Sequence, residues 1–271
     1  MSWCTKSINY NGNIDYIFGS IIKEYDIEKA NISMLYHFGK INSDNYYQMY
    51  NMDKMKREVI VGNMIANDQE IFSIIQQGIY SAREEFFKIT NISSSSVICI
   101  KNDAIFVLDP YNTFPEIIEV FPNVRFRVKN TYTDYIRFIN RVELFYYLDS
   151  INQIESYDIK GINNNLVELH KEYMLDFICY IVSLLHNNSI VEAIQTINTF
   201  YQQYISMKSD IGYYRQFDVE SRFRYKGLAM ISVFESNYAQ ESERYYIDPS
   251  YNAEIIRNLN KIAVQMQFNR G

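Results

Sequence analysis

The sequence predicts an α+β protein in which an antiparallel sheet with helices is followed by a mainly helical C-terminal region. Three observations predict this class. Residues 97–108 have the pattern of a β-hairpin, residues 123–159 alternate between short apolar strands and polar turns, and most of the last third has helical periodicity. We expect two domains, residues 1–161 and residues 162–271, with the second packed on the first.

The N-terminal third is predicted to contain a strand followed by three helices. Apolar residues within 15–26 indicate a strand, or a bent pair of strands broken near Gly19. Apolar residues at helical spacing then predict three helices, over residues 27–38, 44–66 and 68–90. Gly39 and Gly62 are the expected breaks between and within these segments.

The hairpin at 97–108 has two apolar strands around a polar centre, Lys101-Asn102-Asp103, and Asn and Asp tolerate the left-handed backbone that tight turns require. Further strands are predicted at 124–128, 132–138, 142–148 and 154–159. Long helices are predicted at 164–186, 189–207 and 251–268.

Composition excludes several classes of protein. A chain of 271 residues that is 48% hydrophobic can bury a substantial core and is not disordered. Its net charge of -6 means that any nucleic-acid binding depends on a local basic patch. Cys4, Cys99 and Cys179 lack CxxC spacing, which argues against a disulfide framework and a zinc site. The longest apolar stretch, 174–185, is too short to span a bilayer, so we expect a soluble cytoplasmic protein without a membrane partner.

Two aspartates lie where two-metal chemistry would need them. Asp26 ends a predicted strand and Asp103 lies at the hairpin turn, so adjacent strands could bring the two carboxylates together. Nucleotidyl transfer uses such a pair to hold two Mg²⁺ ions. Lys54, Lys56 and Arg57 lie between the two aspartates in sequence, in a helix that could hold a triphosphate.

These segments resemble motifs of the family B DNA polymerases. Residues 24–33, beginning Glu-Tyr-Asp, resemble motif A, and residues 97–107 resemble motif C. Residues 52–62 are similar to the motif B helix, and Tyr157-Asp-Ile-Lys-Gly161 is similar to a later lysine-containing element. The resemblance covers roughly residues 15–161.

The resemblance implies a polymerase-like palm that uses Mg²⁺ or Mn²⁺ and acts on nucleic acid and nucleoside triphosphate. It implies that Asp26 and Asp103 are the catalytic metal ligands and that Lys160 contacts template or primer. The hairpin turn, however, carries one aspartate where motif C of that family has two, and 52–62 lacks the Asn-Ser-x-Tyr-Gly ending of motif B. Both a palm with one aspartate at this turn and a palm that has lost catalysis are consistent with this pattern.

A basic strand face is the second candidate site. Strand alternation predicts that Arg125, Arg127 and Lys129 share one face, which could follow a nucleic-acid backbone. The same pattern is also that of a half-exposed amphipathic strand. The other candidates have similar alternatives, since Asp26 could cap a helix, Asp103 could serve only the turn, and the helix cations could be solvated.

A rival function belongs to a different class. The chain contains 25 tyrosines, and tyrosine is enriched in protein interfaces. The sequence is therefore also consistent with a non-catalytic accessory or inhibitor protein that binds a protein partner through a tyrosine-rich surface. The frequent Ile, Asn and Tyr codons are rich in A and T, which under either function suits a phage or another mobile element.

Overall fold

The computed structural model describes residues 4–139, 142–148, 154–160, 171–220, 245–247 and 249–269. It has the predicted α+β class, with antiparallel sheets and helices. Contacts divide the chain into two compact units. The first comprises Met1–Ile14 and Ser20–Tyr132, and the second comprises Asp15–Gly19 and Thr133–Gly271.

The first unit is built on a six-stranded antiparallel sheet. Its strands are β1 (Ile8–Tyr10), β3 (Ile22–Ile27), β4 (Val97–Lys101), β5 (Ala104–Leu108), β6 (Ile117–Phe121) and β7 (Val124–Tyr132). They lie in the order β1-β4-β5-β3-β7-β6. The hairpin predicted at 97–108 is confirmed as β4 and β5, and Asn102 in its turn has a left-handed φ of 49°.

Four helices belong to the first unit: α1 (Ala30–His37), α2 (Ser43–Tyr50), α3 (Lys54–Asn67) and α4 (Glu70–Thr90). The single helix predicted over 44–66 is wrong, because Asp53 interrupts it and caps α3 by accepting a hydrogen bond from the Met55 N–H. The break predicted at Gly62 is also wrong, since that residue lies inside α3, whereas Gly39 does end a helical segment with a φ of 67°.

The first helix begins later than the sequence predicts. Strand β3 continues through Ile27, and α1 starts only after Lys29, which has a left-handed φ of 51°. Asp26 is therefore a strand residue and does not cap α1. The core beneath this strand includes Phe86 of α4, whose ring lies 5.2 Å from that of Tyr25 and 4.8 Å from that of Phe126.

A buried ion pair attaches the segment after β5 to the central strand. Lys23 of β3 and Asp109 are both almost fully buried, with Nζ 3.0 Å from Oδ2. Asp109 also accepts hydrogen bonds from the N–H groups of Thr113 and Phe114, and Lys23 donates to the Phe114 carbonyl. Burial opposes ionisation of Asp109, but these hydrogen bonds and Lys23 outweigh it and lower the pKa of that carboxyl.

The second unit has its own four-stranded antiparallel sheet, in the order β10-β9-β8-β2. Its strands are β2 (Tyr16–Ile17), β8 (Asp134–Ile139), β9 (Val142–Leu148) and β10 (Ile154–Lys160). A short pair, β11 (Arg215–Glu220) with β12 (Tyr245–Ile247), forms a separate ribbon. The strand or bent pair predicted near Gly19 is thus two strands, β2 and β3, which belong to different units.

Among its described residues, the second unit also has three α-helices: α5 (Asp176–His186), α6 (Ile190–Ile205) and α7 (Pro249–Phe268). A π-helical turn, Lys171–Leu175, precedes α5, and residues 164–170 of the predicted helix lie outside the described residues. Strands β8 to β10 share a core with these helices, through residues such as Phe138, Leu144 and Ile178. The β-rich segment 123–159 is therefore divided between two sheets, and a domain boundary at residue 161 stays a prediction.

Within the described ranges, none of the helices combines the length and the apolar character needed to cross a membrane.

We predict that Asp109→Ala lowers the free energy of unfolding by about 3–5 kcal/mol, because the buried Lys23 ammonium keeps only a more distant, exposed carboxylate, that of Glu116 at 3.8 Å. Urea denaturation followed by circular dichroism measures this change. The double variant Lys23→Met/Asp109→Leu should recover part of the loss, since it removes the poorly paired charge but does not restore the hydrogen bonds to the backbone of Thr113 and Phe114. An Asp109→Ala protein within 1 kcal/mol of wild type would contradict this account.

Candidate functional site

The backbone brings Asp26 and Asp103 together. Asp26 lies near the end of β3, where it is paired with Ala104, the first residue of β5. Asp103 directly precedes Ala104 in the β4–β5 turn, and its carbonyl accepts a hydrogen bond from the Ile27 N–H at 3.3 Å. The two carboxyl groups are in hydrogen-bonding contact. The pair therefore arises from the register of two adjacent strands.

The environment of this carboxyl pair opposes full ionisation. Burial raises the pKa of Asp103 to about 6, and both the negative charge of Asp26 and the hydrogen bond between the two carboxyls contribute to the increase. Like charges at short range repel each other, so the charge of Asp26 opposes ionisation of Asp103. Near neutral pH, a cation at this position would relieve the repulsion.

Lys129 supplies one cation to the pair. Its Nζ lies 3.2 Å from Asp26 Oδ2 and 3.8 Å from Glu24 Oε1. Strand β7 has an irregular register here, since Asn130 pairs with Glu24 and Val128 pairs with Tyr25, which leaves Lys129 as the additional residue. A β-bulge of this kind redirects a side chain. The sequence predicts Lys129 as a nucleic-acid contact, whereas in the structure it contacts the carboxylates.

Glu24 is the residue of this site that the sequence analysis missed. It is buried and accepts hydrogen bonds from Asn130 Nδ2 at 2.7 Å and from the Tyr132 hydroxyl at 3.0 Å. Glu24 and Asp26 are two residues apart, and side chains at this spacing in a strand lie on the same face. This spacing is the signal in the sequence by which Glu24 could have been predicted. Within the ranges that the structure describes, however, there is no group of three or more His, Cys, Asp or Glu side chains that could hold a metal ion.

The basic face predicted on β7 is exposed, and exposed and buried residues alternate along the strand as expected. Arg125, Arg127 and Lys129 are exposed, whereas Val124 and Phe126 are buried. Arg125 is already engaged, because its Nε donates to the Glu28 carboxylate. Arg125 and Glu28 also line a cavity of about 220 Å³ with three tyrosines of α2, Tyr46, Tyr47 and Tyr50.

The remaining predicted residues are dispersed. Lys54 and Lys56 are exposed in the first turn of α3, whereas Arg57 is buried and its Nη1 donates to the Met52 carbonyl at 3.3 Å. Lys160 belongs to β10 of the second unit, where its Nζ lies 2.5 Å from Asp158 Oδ2. Of the predicted residues, the structure thus brings Asp103 and Lys129 to Asp26 and pairs Arg127 with Asp26 in the β3–β7 ladder.

We predict that Asp103→Asn stabilises the folded protein at neutral pH. A carboxyl whose pKa is raised in the folded state takes up its proton on folding, so its contribution is fully present below about pH 4 and is lost as pH rises through about 6. The variant should be more stable than wild type by about 1–3 kcal/mol at pH 8, with a smaller difference at pH 4.

Thermal and urea unfolding between pH 4 and pH 8 measure this difference. Asp53→Asn removes one exposed carboxylate while keeping a helix cap, and it serves as the charge-matched control. If Asp103→Asn is less stable than wild type at pH 8, the proposed repulsion between Asp26 and Asp103 is wrong.

Comparison with known proteins gives a family for the chain. No curated protein matches the sequence. A family model described as Bacteriophage PBS1 gene 130 protein matches residues 3–265. Because this match spans nearly the whole chain, the protein belongs to the Bacteriophage PBS1 gene 130 protein family.

Proposed function

We propose that the first unit is a divergent, minimal palm-type nucleotidyltransferase that acts on nucleic acid with Mg²⁺ or Mn²⁺ by a two-metal mechanism. The observation that carries this proposal is the contact between the Asp26 and Asp103 carboxyls, on the central strand and on the adjacent hairpin turn. The match to a phage family is compatible with it. Template-directed chemistry needs two carboxylates in this relation on neighbouring strands.

The donor set fits a hard divalent cation. Both side chains offer carboxylate oxygens, and Mg²⁺ is commonly held by one or two carboxylates together with substrate phosphates. The raised pKa of Asp103 supports this fit, because a cation between the carboxyls would stabilise their ionised forms. When bound, the metal would supply Lewis-acid activation of a 3′ hydroxyl and charge stabilisation for a pyrophosphate leaving group.

The residues of the chain would act through position and charge. Asp26 and Asp103 would hold the metal, while Lys129 would balance part of the negative charge of Asp26 and Glu24. Lys54 and Lys56, exposed on α3, would bind a triphosphate as point charges. The burial of Arg57 makes it the weaker candidate for that role.

Nucleic-acid contact would come mainly from exposed cations. Arg127 is exposed on β7, between Arg125 and Lys129, each of which already contacts a carboxylate. Lys160 remains the proposed contact for primer or template on the second unit. Each phosphate that such a cation neutralises releases counterions, so binding would weaken as salt increases.

The alternative is a non-catalytic phage accessory or inhibitor protein that binds a protein partner. The observation that favours it is a set of large apolar side chains exposed on α2 to α4, namely Tyr47, Met55, Val59 and Phe72. Aromatic and methionine side chains are enriched in protein interfaces. Under this alternative, the carboxyl pair has no catalytic role.

We predict a metal-dependent increase in melting temperature that requires the carboxyl pair. A divalent ion that binds only the folded state stabilises it by about 2.7 kcal/mol at a hundredfold excess over its Kd. Mn²⁺ should stabilise wild type more than Ca²⁺ does, nucleoside triphosphate should increase the shift, and Asp26→Ala should remove it.

The same proteins should be tested for primer extension on DNA and RNA templates. Wild type should incorporate nucleotide, whereas Asp26→Ala and Asp103→Asn should not, and Asp53→Asn is the control that retains activity. Absence of both a Mn²⁺ shift at millimolar concentration and nucleotide incorporation would favour the interaction protein.

We also predict that Lys129→Met tightens Mn²⁺ binding about fivefold. Two unit charges 4 Å apart in water interact by about 1 kcal/mol, and the substitution removes the ammonium that competes with the metal for Asp26. Calorimetric titration with Mn²⁺ measures the change, with Lys56→Met as the control for loss of one exposed lysine. Weaker Mn²⁺ binding by Lys129→Met would show that the lysine supports the metal site.

A further inference from the structure

The first unit contains a second cavity whose wall includes a buried arginine. The cavity has a volume of about 290 Å³ and is bordered by α1, α3, α4 and the β4–β5 turn. Its apolar wall consists of Ile65, Phe72, Ile75, Ile79 and the ring of Tyr80. Polar side chains also line it, namely Ser7, Asn31, Gln76, Asn102 and Arg83. This volume lies near the lower end of the range for small-molecule pockets, which fits a compact ligand with a single ring.

Arg83 is fully buried, yet only part of its guanidinium is satisfied. Its Nη1 donates to the carbonyls of Cys4 and Lys6, at 3.2 and 2.7 Å. Its Nε and Nη2 are buried and have no hydrogen-bond partner within the described ranges. Buried polar groups without partners are uncommon in folded proteins and are costly when charged.

The two unpaired nitrogens form one edge of the guanidinium. This is the edge on which a carboxylate or phosphate can accept two parallel hydrogen bonds. Of the guanidinium nitrogens, Nη1 is the one that ties the N-terminal segment to α4. This structural role therefore leaves the edge formed by Nε and Nη2 unused. Burial also lowers the pKa of the Arg83 guanidinium to about 10, and the opposing electrostatic effects of Tyr80, Cys4 and Asp103 offset only part of that decrease.

The surrounding side chains specify the rest of the ligand. The ring of Tyr80 lies 5.4 Å from the Arg83 Cζ, and the Tyr80 hydroxyl contacts Ser7 Oγ at 3.4 Å. Phe72 forms an exposed part of the apolar wall, so the cavity can be entered from solvent on that side. A ligand here would bury a flat apolar body against Phe72 and the isoleucines while its charged group approached Arg83.

We propose that this cavity binds a small organic oxyanion, a carboxylate or phosphate monoester attached to an aromatic ring, with Arg83 as the anion receptor. Neither Asp26 nor Asp103 lines this cavity, although the charge of Asp103 acts on Arg83, and the proposal does not depend on the proposed nucleotidyl transfer. Asn102 borders the cavity, and the next residue is Asp103 of that pair. The ring accounts for the apolar wall, and the oxyanion accounts for the unpaired guanidinium edge.

Binding should be measured by calorimetry and by NMR chemical-shift changes with four probes. Benzoate and phenyl phosphate carry both the ring and the charge, whereas inorganic phosphate lacks the ring and benzyl alcohol lacks the charge. We expect at least one of the first two to bind about tenfold more tightly than both of the others. The comparison of benzoate with phenyl phosphate identifies which oxyanion the site prefers.

Two variants test the roles assigned to Arg83 and Phe72 through small changes that are meant to preserve the fold. Arg83→Lys keeps the positive charge but cannot offer two parallel donors, and it should weaken binding about tenfold. Phe72→Ala alters an exposed part of the apolar wall and should weaken the ring-containing probes without changing the affinity for inorganic phosphate. If Arg83→Lys proves unstable, Phe72→Ala remains the test of the site, because it changes an exposed side chain.

Asp103→Asn separates this proposal from the proposed function. It should abolish nucleotide incorporation while leaving benzoate or phenyl phosphate bound. Absence of binding by both ring-containing probes at millimolar concentration would overturn the oxyanion site. Equal affinity of wild type, Arg83→Lys and Phe72→Ala for these probes would overturn it as well.

Discussion

The antiparallel pairing of β3 with β5 on one side and β7 on the other is the constraint on which the first unit depends. This pairing places β3 at the centre of the sheet and sets Asp26 opposite Ala104, beside the hairpin turn that carries Asp103. The bulge in β7 directs Lys129 toward the same position. A one-residue slip in either ladder would turn the alternate side chains to the opposite face and separate these groups.

The central strand carries an unusual amount of buried charge for a position between two neighbouring strands. Lys23 and Glu24 are both buried, and each is matched by groups from adjacent segments, Asp109 for the lysine and Tyr132 with Asn130 for the glutamate. Asp26 and Asp103 differ from these pairs, because they repel each other, although Lys129 contacts Asp26 and the charge of Arg83 acts on Asp103. Three carboxyls, those of Glu24, Asp26 and Asp103, therefore lie near one end of β3 with Lys129 as their contacting cation among the described residues, and this excess of negative charge is the physical basis for the proposed metal site.

Arg83 provides the opposite imbalance in the same unit. Its guanidinium is buried with two donors unused, whereas the carboxyl pair has more negative charge than its neighbours neutralise. Both features cost folding free energy in the isolated chain, and a bound ligand could recover that cost at each of them. The proposed ligand is a cation at the first site and an oxyanion at the second, so the two proposals involve different chemistry and different residues.

The sequence by itself determined the features that depend on local pattern. The spacing of apolar residues predicted the α+β class and the helices. The Asn102-Asp103 turn predicted the hairpin, and strand alternation predicted the exposed face that begins at Arg125. The same order of elements placed Asp26 and Asp103 near the ends of neighbouring strands. These properties follow from backbone preferences and side-chain periodicity over a few residues.

Tertiary structure alone decided the features that depend on register and burial. These features include the bulge at Lys129 and the burial of Arg57 and Arg83. The bulge, the contacts of Arg83 and the ion pair of Lys23 with Asp109 each join segments that are distant in sequence. Local pattern assigns most arginines to solvent, because it contains no information about which segment will cover them. The charge that each of these groups meets is set by the strands and helices that pack against it, and so the contacts of the candidate sites became defined only in the folded chain.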